Sequence, residues 1–340
     1  RNEIAAAGGP AEIEIAGRLG AMLAERDASG GLDAAVLSAA AHGPMIGHVV
    51  GMSSQHGLAV ETELDPARQP FLFDHQIDGT PVLPGVMGVE AFAELARLVL
   101  PGHEIDAIED VQFLAPFKFY RGQPRTVRLE ARFDREGESI VAACALLGSR
   151  TLPGQDEPQV TRHFTARVRL APTAQHAPET TRVPASSGRT AGASDIYRIY
   201  FHGPAYQVIG DAWIDGGDIV TGRMADGLPP NHEPLELPLA AAPRHVEACF
   251  QTAGLHELAT AGTLGLPLAV SRIRPLAAPP AQGCHIVVRP RSDGAYDADV
   301  VDDQGNVCVQ LEQYRTVALP DGPDADALAA LRTGLGGSRA

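Results

Sequence analysis

Two apolar stretches along the chain have the pattern of buried helices, and each begins at a proline. The stretch GVMGVEAFAELARLVL after Pro84 is apolar on nearly every face, which predicts a helix enclosed by other structure. The stretch RHVEACFQTAGLHEL after Pro243 also has a helical pattern. Proline is well tolerated at the first position of a helix, so both helices are predicted to begin near these residues.

Apolar and polar residues alternate in the segments that follow each predicted helix, as expected of strands with one buried face. RTVRLEARF and HFTARVRL alternate in this way after the first helix, and CHIVVRP and NVCVQLEQYRTVAL do so after the second. One buried helix followed by antiparallel strands, occurring twice, predicts an α+β fold built from two sheets that each wrap a helix.

Composition divides the chain into two units of similar element order. Residues 171–193 are rich in Pro, Ala, Ser and Thr and have few large apolar side chains, which is typical of a linker. The predicted organisation is an N-terminal linker at 1–41, a first unit at 42–170, a linker at 171–193, a second unit at 194–320 and a tail at 321–340. Because the sequence begins with Arg rather than Met, we expect it to be part of a longer polypeptide.

Composition and charge exclude several classes of protein. The 340 residues are 44% hydrophobic and 20% charged, as in ordinary globular domains. A net charge of -15 argues against a nucleic-acid partner. No apolar run approaches the ~20 residues that span a bilayer, and no signal peptide is visible, so we expect a cytoplasmic protein. The four cysteines show no CxxC spacing and are expected to be reduced thiols.

The segment FLFDHQIDGTPVLPGVMG carries the clearest candidate for chemistry. His75 precedes a turn rich in Gly and Pro, and Pro84 opens the buried helix nine residues later. A histidine at that place would lie beside the helix N-terminus, where free N–H groups such as that of Gly85 can bind an oxygen that gains negative charge. A neutral imidazole next to such donors suits removal of a proton α to a carbonyl group.

His75, Gly79 and Pro84 together resemble the HxxxGxxxxP motif of the dehydratase domains of polyketide synthases. Other segments resemble the same family in the same order: HGPMIG at 42–47, FHGPAYQVI at 201–209, and LGLPLAVSRI at 264–273. The resemblance covers roughly residues 42–320. It implies the fold of the family, a double hotdog, which agrees with the element order described above.

The resemblance implies a second catalytic residue on the second helix. The family has an Asp in a DAxxQ motif, and here Glu247-Ala248-Cys249-Phe250-Gln251 stands in its place, with Glu for Asp. Glu247 is thus implied to protonate the departing β-hydroxyl, with Gln251 orienting it. A carboxyl group on an apolar helix is costly unless used or paired, and burial is expected to raise its pKa. The additional methylene of Glu is a departure from the family.

A second departure lies in the segment that resembles the YGPxF motif. The family's tyrosine is His202 here, and Tyr206 follows in the same segment. His202 either donates a hydrogen bond in place of the tyrosine or faces the linker and has no role. The two departures together resemble iterative synthases, of the enediyne and polyunsaturated-fatty-acid types, more than modular ones.

The implied activity is removal of water from a β-hydroxyacyl thioester on the phosphopantetheine of an acyl carrier protein, with no intrinsic cofactor and no metal. The implied partners are that carrier, other domains of the same synthase and a second copy in a homodimer. Two alternatives remain: an isomerase or cyclase that uses the same residues, and a non-catalytic domain that holds the acyl chain.

The run FKFYRGQPRTVR has two interpretations. Lys118, Arg121, Arg125 and Arg128 are either exposed strand charges or a docking face for the acidic carrier or its phosphopantetheine. The pairs His103-Glu104 and His232-Glu233 lack a third ligand at metal spacing.

Overall fold

The computed structural model describes residues 42–53, 57–100, 102–151, 157–173, 176–186, 188–215, 218–280, 282–319 and 322–336. The predicted N-terminal linker, 1–41, lies outside the described residues.

The described residues contain helices and strands in the predicted order. The helices are α1 (Pro70–Phe73), α2 (Gly85–Val99), α3 (Ala193–Ile196), α4 (Pro243–Thr260) and α5 (Ala325–Leu335). The strands before the linker are β1 (His48–Ser53), β2 (Gly57–Leu64), β3 (Gln76–Ile77), β4 (Thr80–Pro81), β5 (Glu104–Phe113), β6 (Arg125–Glu136), β7 (Ser139–Arg150) and β8 (Gln159–Ala171). The later strands are β9 (Ala191–Gly192), β10 (Ile209–Ile214), β11 (Val220–Met224), β12 (Gly265–Pro275), β13 (His285–Pro290), β14 (Tyr296–Val301) and β15 (Val307–Ala318).

The strands form one long antiparallel sheet and one small hairpin. The long sheet has the order β1-β2-β6-β7-β8-β5-β12-β15-β14-β13-β11-β10-β9, and β3 pairs with β4. The pair β5–β12 joins the halves, with Val111 opposite Val270 and Ile108 opposite Ile273. The α+β class and the double hotdog are confirmed.

Each half of the long sheet packs on one of the two long helices. Helix α2 contacts β5 to β8, whereas α4 contacts β10 to β15, and the two helices also contact each other. Thirteen of the fifteen residues of α2 are buried, which explains why its sequence is apolar on nearly every side. In β6, Val127, Leu129 and Ala131 point to the buried face as the alternation predicts.

The segments next to the second half make specific contacts. Within the predicted linker, Thr181 N–H donates to Gly305 at 2.9 Å, and the Glu179 carbonyl accepts from Val307 N–H at 2.9 Å. Helix α5, in the predicted tail, begins at an Asp324 side chain that accepts from the Ala327 N–H. The domain boundaries themselves stay a prediction.

All four cysteines are buried free thiols. Among the described residues, none of the helices combines the length and the apolar character required to cross a membrane.

Candidate active site

The hairpin β3–β4 fixes the position of His75. Its two turn residues, Asp78 and Gly79, have φ values of 50° and 69°, which is the backbone that a two-residue hairpin turn requires. Gly79 therefore has a role in the turn, where glycine adopts positive φ without strain. The hairpin returns the chain to His75, whose carbonyl accepts from the Val82 N–H at 3.0 Å.

The imidazole of His75 is held in one orientation. Its Nδ1 lies 2.7 Å from the Val82 carbonyl oxygen, so Nδ1 carries the hydrogen and Nε2 keeps its lone pair. Burial, followed by the charge of the neighbouring His202, lowers the pKa of His75 to about 4, against the opposing effects of Glu247 and of the hydrogen bond to Val82. At neutral pH the residue is an uncharged imidazole that can accept a proton.

The start of α2 provides N–H donors beside the cavity. Pro84 is the residue before the helix, with φ of -57°, and Gly85 is the first helical residue. The first N–H groups of a helix have no partner within the helix. A Cβ at Gly85 would lie 2.7 Å from the ring of Phe113, so no larger residue fits there without a shift.

The first turns of α4 present Glu247 and Gln251 on the face that meets the first half. Oε1 of Glu247 accepts from Gln251 Nε2 at 2.9 Å and lies 3.2 Å from Nε2 of His202. Gln251 Nε2 also donates to the Tyr206 carbonyl at 3.0 Å, and its Oε1 accepts from the hydroxyl of Tyr197 at 2.8 Å. Gln251 therefore holds the carboxylate in a network of hydrogen bonds.

The pKa of Glu247 departs from the sequence-based expectation. Burial raises the pKa, as expected, but the hydrogen bond and charge of His202, followed by the charge of His75 and the bond from Gln251, lower it by more. The net pKa is lowered, so the expectation of a raised pKa for this carboxyl group is wrong. The expectation failed because it did not include the histidine that the fold places against the carboxylate.

His202 lies inside the site rather than facing the linker. It forms an isolated antiparallel bridge with His75, and the two rings are 5.3 Å apart between centroids. The ring of His202 also stacks on Phe201 at 4.4 Å. Asp74 fixes this arrangement, because its carbonyl accepts from Gly203 N–H at 2.7 Å and its side chain accepts from Ala205 N–H at 2.8 Å.

Tyr206 packs against His75 but does not line the cavity. Its side chain is fully buried, and its ring centroid is 6.1 Å from that of His75. The Tyr206 hydroxyl has no hydrogen-bond partner among the described residues. Its link to the carboxylate is the backbone carbonyl that binds Gln251.

His75, Gly85, His202, Glu247 and Gln251 line one cavity of about 310 Å³. The rest of the lining is mainly apolar and includes Phe113, Phe164, Phe250, Leu264, Leu266, Leu268, Tyr314 and Val317. Gly79, Pro84 and Tyr206 are near the cavity but do not line it. Among the described residues, no group of three or more His, Cys, Asp or Glu side chains is placed to hold a metal ion.

Sequence reasoning missed Asp74 and Tyr197. Asp74 stands directly before His75, and this position next to the candidate base is the signal by which it could have been found. Tyr197 donates to Gln251 and accepts from the Ile209 N–H at 2.8 Å, but no local pattern distinguishes it from a core tyrosine.

Comparison with known proteins adds the family. Residues 43–144 match the model of the polyketide synthase dehydratase domain, and residues 169–326 match a model described as the polyketide synthase dehydratase N-terminal domain. Polyketide synthase ThaG of Burkholderia thailandensis is 26% identical over 270 residues, which cover 74% of this chain and 4% of ThaG. Polyketide synthase GfsA of Streptomyces halstedii is 29% identical over 193 residues, 54% of this chain and 2% of GfsA. The chain thus spans a small part of the curated relatives it matches.

Solved structures show the same fold. The dehydratase domain from the CurF module of the curacin polyketide synthase matches with a TM-score of 0.66 at 20% identity, covering 82% of this chain and all of that one. A trans-AT polyketide synthase dehydratase domain from Brevibacillus brevis matches with a TM-score of 0.65 at 18% identity, covering 82% and 99%. With a double hotdog, matches to both halves and a cavity shared by His75 and Glu247, the chain belongs to the polyketide synthase dehydratase family.

Proposed function

We propose that this chain removes water from a β-hydroxyacyl thioester carried on the phosphopantetheine of an acyl carrier protein. The observation that carries the proposal is that His75 and Glu247, from different halves of the fold, line the same cavity. A β-elimination requires a neutral base and a carboxyl group that face the same space, which must be large enough for the substrate.

The proposed step begins at His75. Its Nε2 accepts the proton from the α-carbon, while the bond between the β-carbon and its oxygen breaks and a double bond forms between the two carbons. The hydroxyl leaves as water with one proton that the Glu247–His202 pair holds at the start of the step. Nε2 of His202 lies 3.2 Å from Oε1 of Glu247, so this proton can pass through the carboxyl group to the hydroxyl, and the pair ends the step with one proton fewer while His75 has gained the α-proton. The lowered pKa of Glu247 makes this partnership part of the proposal, because a lone ionised carboxylate has no proton to give.

Gly85 has the second role in this scheme. The thioester oxygen gains negative charge as the α-proton leaves, and the N–H groups at the start of α2 can stabilise it. Removal of such a donor typically costs about 10²–10³ in rate.

Two of the similar solved structures support a histidine and a carboxyl group as the catalytic pair. They are inactive variants of the CurK dehydratase from the curacin synthase, one with histidine replaced by phenylalanine and one with aspartate replaced by asparagine. Glu247 is proposed to do in this chain what the aspartate does there, despite its longer side chain.

The wider context is part of the same proposal. We expect the chain to act in the cytoplasm as one domain of a synthase, to form a homodimer, and to need no cofactor of its own beyond the phosphopantetheine of its carrier. Membership of an iterative synthase stays a prediction from the resemblance.

Incubation with a short β-hydroxyacyl thioester, followed by mass spectrometry, tests the activity. We expect loss of water with the wild-type chain and no detectable turnover with His75→Ala. His163 is a matched control, because it is also a buried histidine with Nδ1 at 3.1 Å from a backbone carbonyl but does not line the cavity. His163→Ala should retain turnover per folded molecule.

Other products separate the alternatives. A β,γ-alkene or a ring would indicate an isomerase or cyclase, and an unchanged substrate would indicate a domain that only holds the acyl chain. Full activity of His75→Ala would contradict the mechanism.

A further inference from the structure

Four cations lie together beside the cavity without a carboxylate partner. We call Lys118, Arg121, Arg125 and Arg150 the cationic cluster. Arg125 Nη1 donates to the Lys118 carbonyl at 2.5 Å, and Arg121 follows in the adjacent turn Tyr120–Gly122. None of the four forms an ion pair with a described residue, whereas Arg128 on the same strand as Arg125 pairs with Glu61 at 3.1 Å and Glu130 at 2.8 Å.

Such a cluster is unexpected on a chain with a net charge of -15. Burial lowers the pKa of Arg125, and the charge of Arg150 lowers it further. Like charges on neighbouring guanidinium groups repel each other, and a bound anion would offset that repulsion.

Aromatic rings hold both guanidinium groups in place. The Arg125 guanidinium carbon lies 4.2 Å from the centroid of Phe117, and that of Arg150 lies 5.6 Å from the centroid of Tyr120. Stacking on a ring face leaves in-plane N–H donors available, and the guanidinium fork matches the oxygens of a phosphate.

The cluster adjoins the mouth of the cavity. Ala115 and Pro116 line the cavity, and Lys118 bridges to Val82, which also lines it. Pro116 and Arg121 are five residues apart, so at most ~17 Å of chain separates them. Large apolar side chains are exposed among the lining residues: Leu114 at 56%, Leu268 at 42% and Val317 at 51%.

We propose that the cationic cluster binds the phosphodiester of the phosphopantetheine arm, with Arg125 and Arg150 as its principal ligands. The inference rests on the proposed function, since that function brings the arm to this cavity. An apolar mouth next to unpaired, pre-oriented guanidinium groups fits a ligand with a long neutral chain that ends in a phosphate. The occupant is the phosphate of the arm, not the acidic surface of the carrier.

Three substrates with the same acyl group distinguish binding of the phosphate from binding of the carrier surface. They are the pantetheine thioester, the phosphopantetheine thioester and the intact carrier thioester. We expect the wild-type chain to show a lower KM for the phosphopantetheine form than for the pantetheine form. Arg125→Gln with Arg150→Gln should raise the KM for the phosphopantetheine form about 10- to 100-fold and leave the pantetheine form unchanged. Added salt should raise the KM of the phosphorylated substrate for the wild-type chain but much less for the double variant.

Arg128→Gln is the matched control, because its charge is already neutralised by two glutamates, and it should change neither KM. Arg150→Gln alone covers the case in which the double variant fails to fold, since Arg150 is exposed and its loss spares the core. We expect this single variant to show the same selective rise in KM, to a smaller extent.

Two results would overturn the inference. One is equal KM values for the two carrier-free substrates in the wild-type chain. The other is a loss in the double variant that appears only with the intact carrier, which would assign the cluster to the carrier surface. Calorimetric titration with phosphopantetheine and with pantetheine needs no turnover, so it tests the cluster even if dehydration itself is not observed.

Discussion

The two long helices each bury a glutamate near their start, and the two glutamates have different surroundings. Glu90 is the sixth residue of α2 and fully buried, and Glu247 is the fifth residue of α4 and 6% exposed. Residue type, helix position and burial are therefore nearly the same.

Both carboxylate oxygens of Glu90 are occupied by backbone. Oε1 accepts from Ala240 N–H at 2.5 Å and Oε2 from Ala241 N–H at 2.8 Å. These residues lead directly into α4 through Ala242, which has a positive φ of 50°. Glu90 therefore ties the first half to the start of the helix that carries Glu247.

Glu94, one turn later, ties α2 to the beginning of the first half. Its Oε2 accepts from Met45 N–H at 2.9 Å. Burial and the charge of Glu90 raise the pKa of Glu94 well above its ordinary value, whereas burial raises that of Glu90 against the opposing effect of its N–H donors. Burial thus raises the pKa of both carboxyl groups, and that of Glu94 is raised well above its ordinary value.

Glu247 differs from Glu90 because its contacts with described residues are made by one oxygen only. Oε1 accepts from Gln251 and lies near His202. Oε2 has no hydrogen bond to those residues, and Glu247 lines the cavity. A buried carboxylate with both oxygens bound to backbone has a structural role, while one with a free oxygen facing a cavity can exchange a proton with a substrate.

The largest expected effect is that of Glu247→Gln. The amide keeps the shape of the side chain but cannot donate the proton, so the rate should fall by about 10²–10⁴. Free energy of unfolding should change by less than about 1 kcal/mol, because the amide can still bond to its neighbours. Turnover of the β-hydroxyacyl thioester and denaturant unfolding measure the two quantities. A variant with full activity would remove Glu247 from the mechanism.

Glu247→Asp refines the same test. The shorter side chain withdraws the carboxylate from Gln251 and His202, and a displacement of about 1 Å can cost on the order of 10² in rate. We expect Asp to be slower than Glu here. An equal or faster rate would mean that Glu is tolerated rather than required by the position of α4.

Glu90→Gln should mainly lower stability. An amide offers one acceptor, so one of the two backbone N–H groups loses its partner, and a buried unsatisfied group costs roughly 1–3 kcal/mol. Activity per folded molecule should change by less than about tenfold. Denaturant unfolding and turnover assays distinguish the structural role of Glu90 from the catalytic role proposed for Glu247. A large loss of rate without loss of stability would instead place Glu90 in the reaction.

Glu94→Gln is the control on the same helix. A raised folded-state pKa gives stability below the ordinary pKa that is lost as pH rises through the folded value. Glutamine does not titrate, so the variant does not lose stability through deprotonation at this position. Its stability should therefore rise relative to that of the wild-type chain as pH increases above about 4.5. Unfolding midpoints at pH 5 and pH 8 measure the difference.

A further expected effect is the pH dependence of stability that His75 contributes. Its folded-state pKa of about 4 lies below the ordinary 6.5, so the unfolded chain binds the proton first and stability falls as pH decreases through this window. The loss between pH 6.5 and pH 5 is roughly 2 kcal/mol. His75→Phe should show a correspondingly shallower decline between pH 7 and pH 5 in denaturant unfolding. An unchanged slope would mean that His75 titrates normally in the folded chain.

Local patterns predicted much of the fold and singled out two residues, His75 and Glu247, that the fold brings to one cavity. Proline before an apolar run predicted the starts of α2 and α4, because the fixed φ of proline and the burial of a helix act within a few residues. The alternation in β6 and β8 predicted strands for the same reason. The HxxxGxxxxP motif and the glutamate on α4 identified His75 and Glu247, but the orientation of His202 stayed open.

Contacts between distant residues decided the rest. The lowered pKa of Glu247 depends on His202, 45 positions away, and the role of Glu90 depends on backbone N–H groups 150 positions away. The absence of a carboxylate partner for Arg125 within the described chain could not be read from FKFYRGQPRTVR, because Arg128 in the same run is paired. Arg150 lies outside that run, and only the fold brings it near Arg125. The sequence by itself determined which elements form and which side chains are chemically able to react. Only the tertiary structure decided which charges meet, because hydrogen bonds and ion pairs act over a few ångströms of space rather than along the chain.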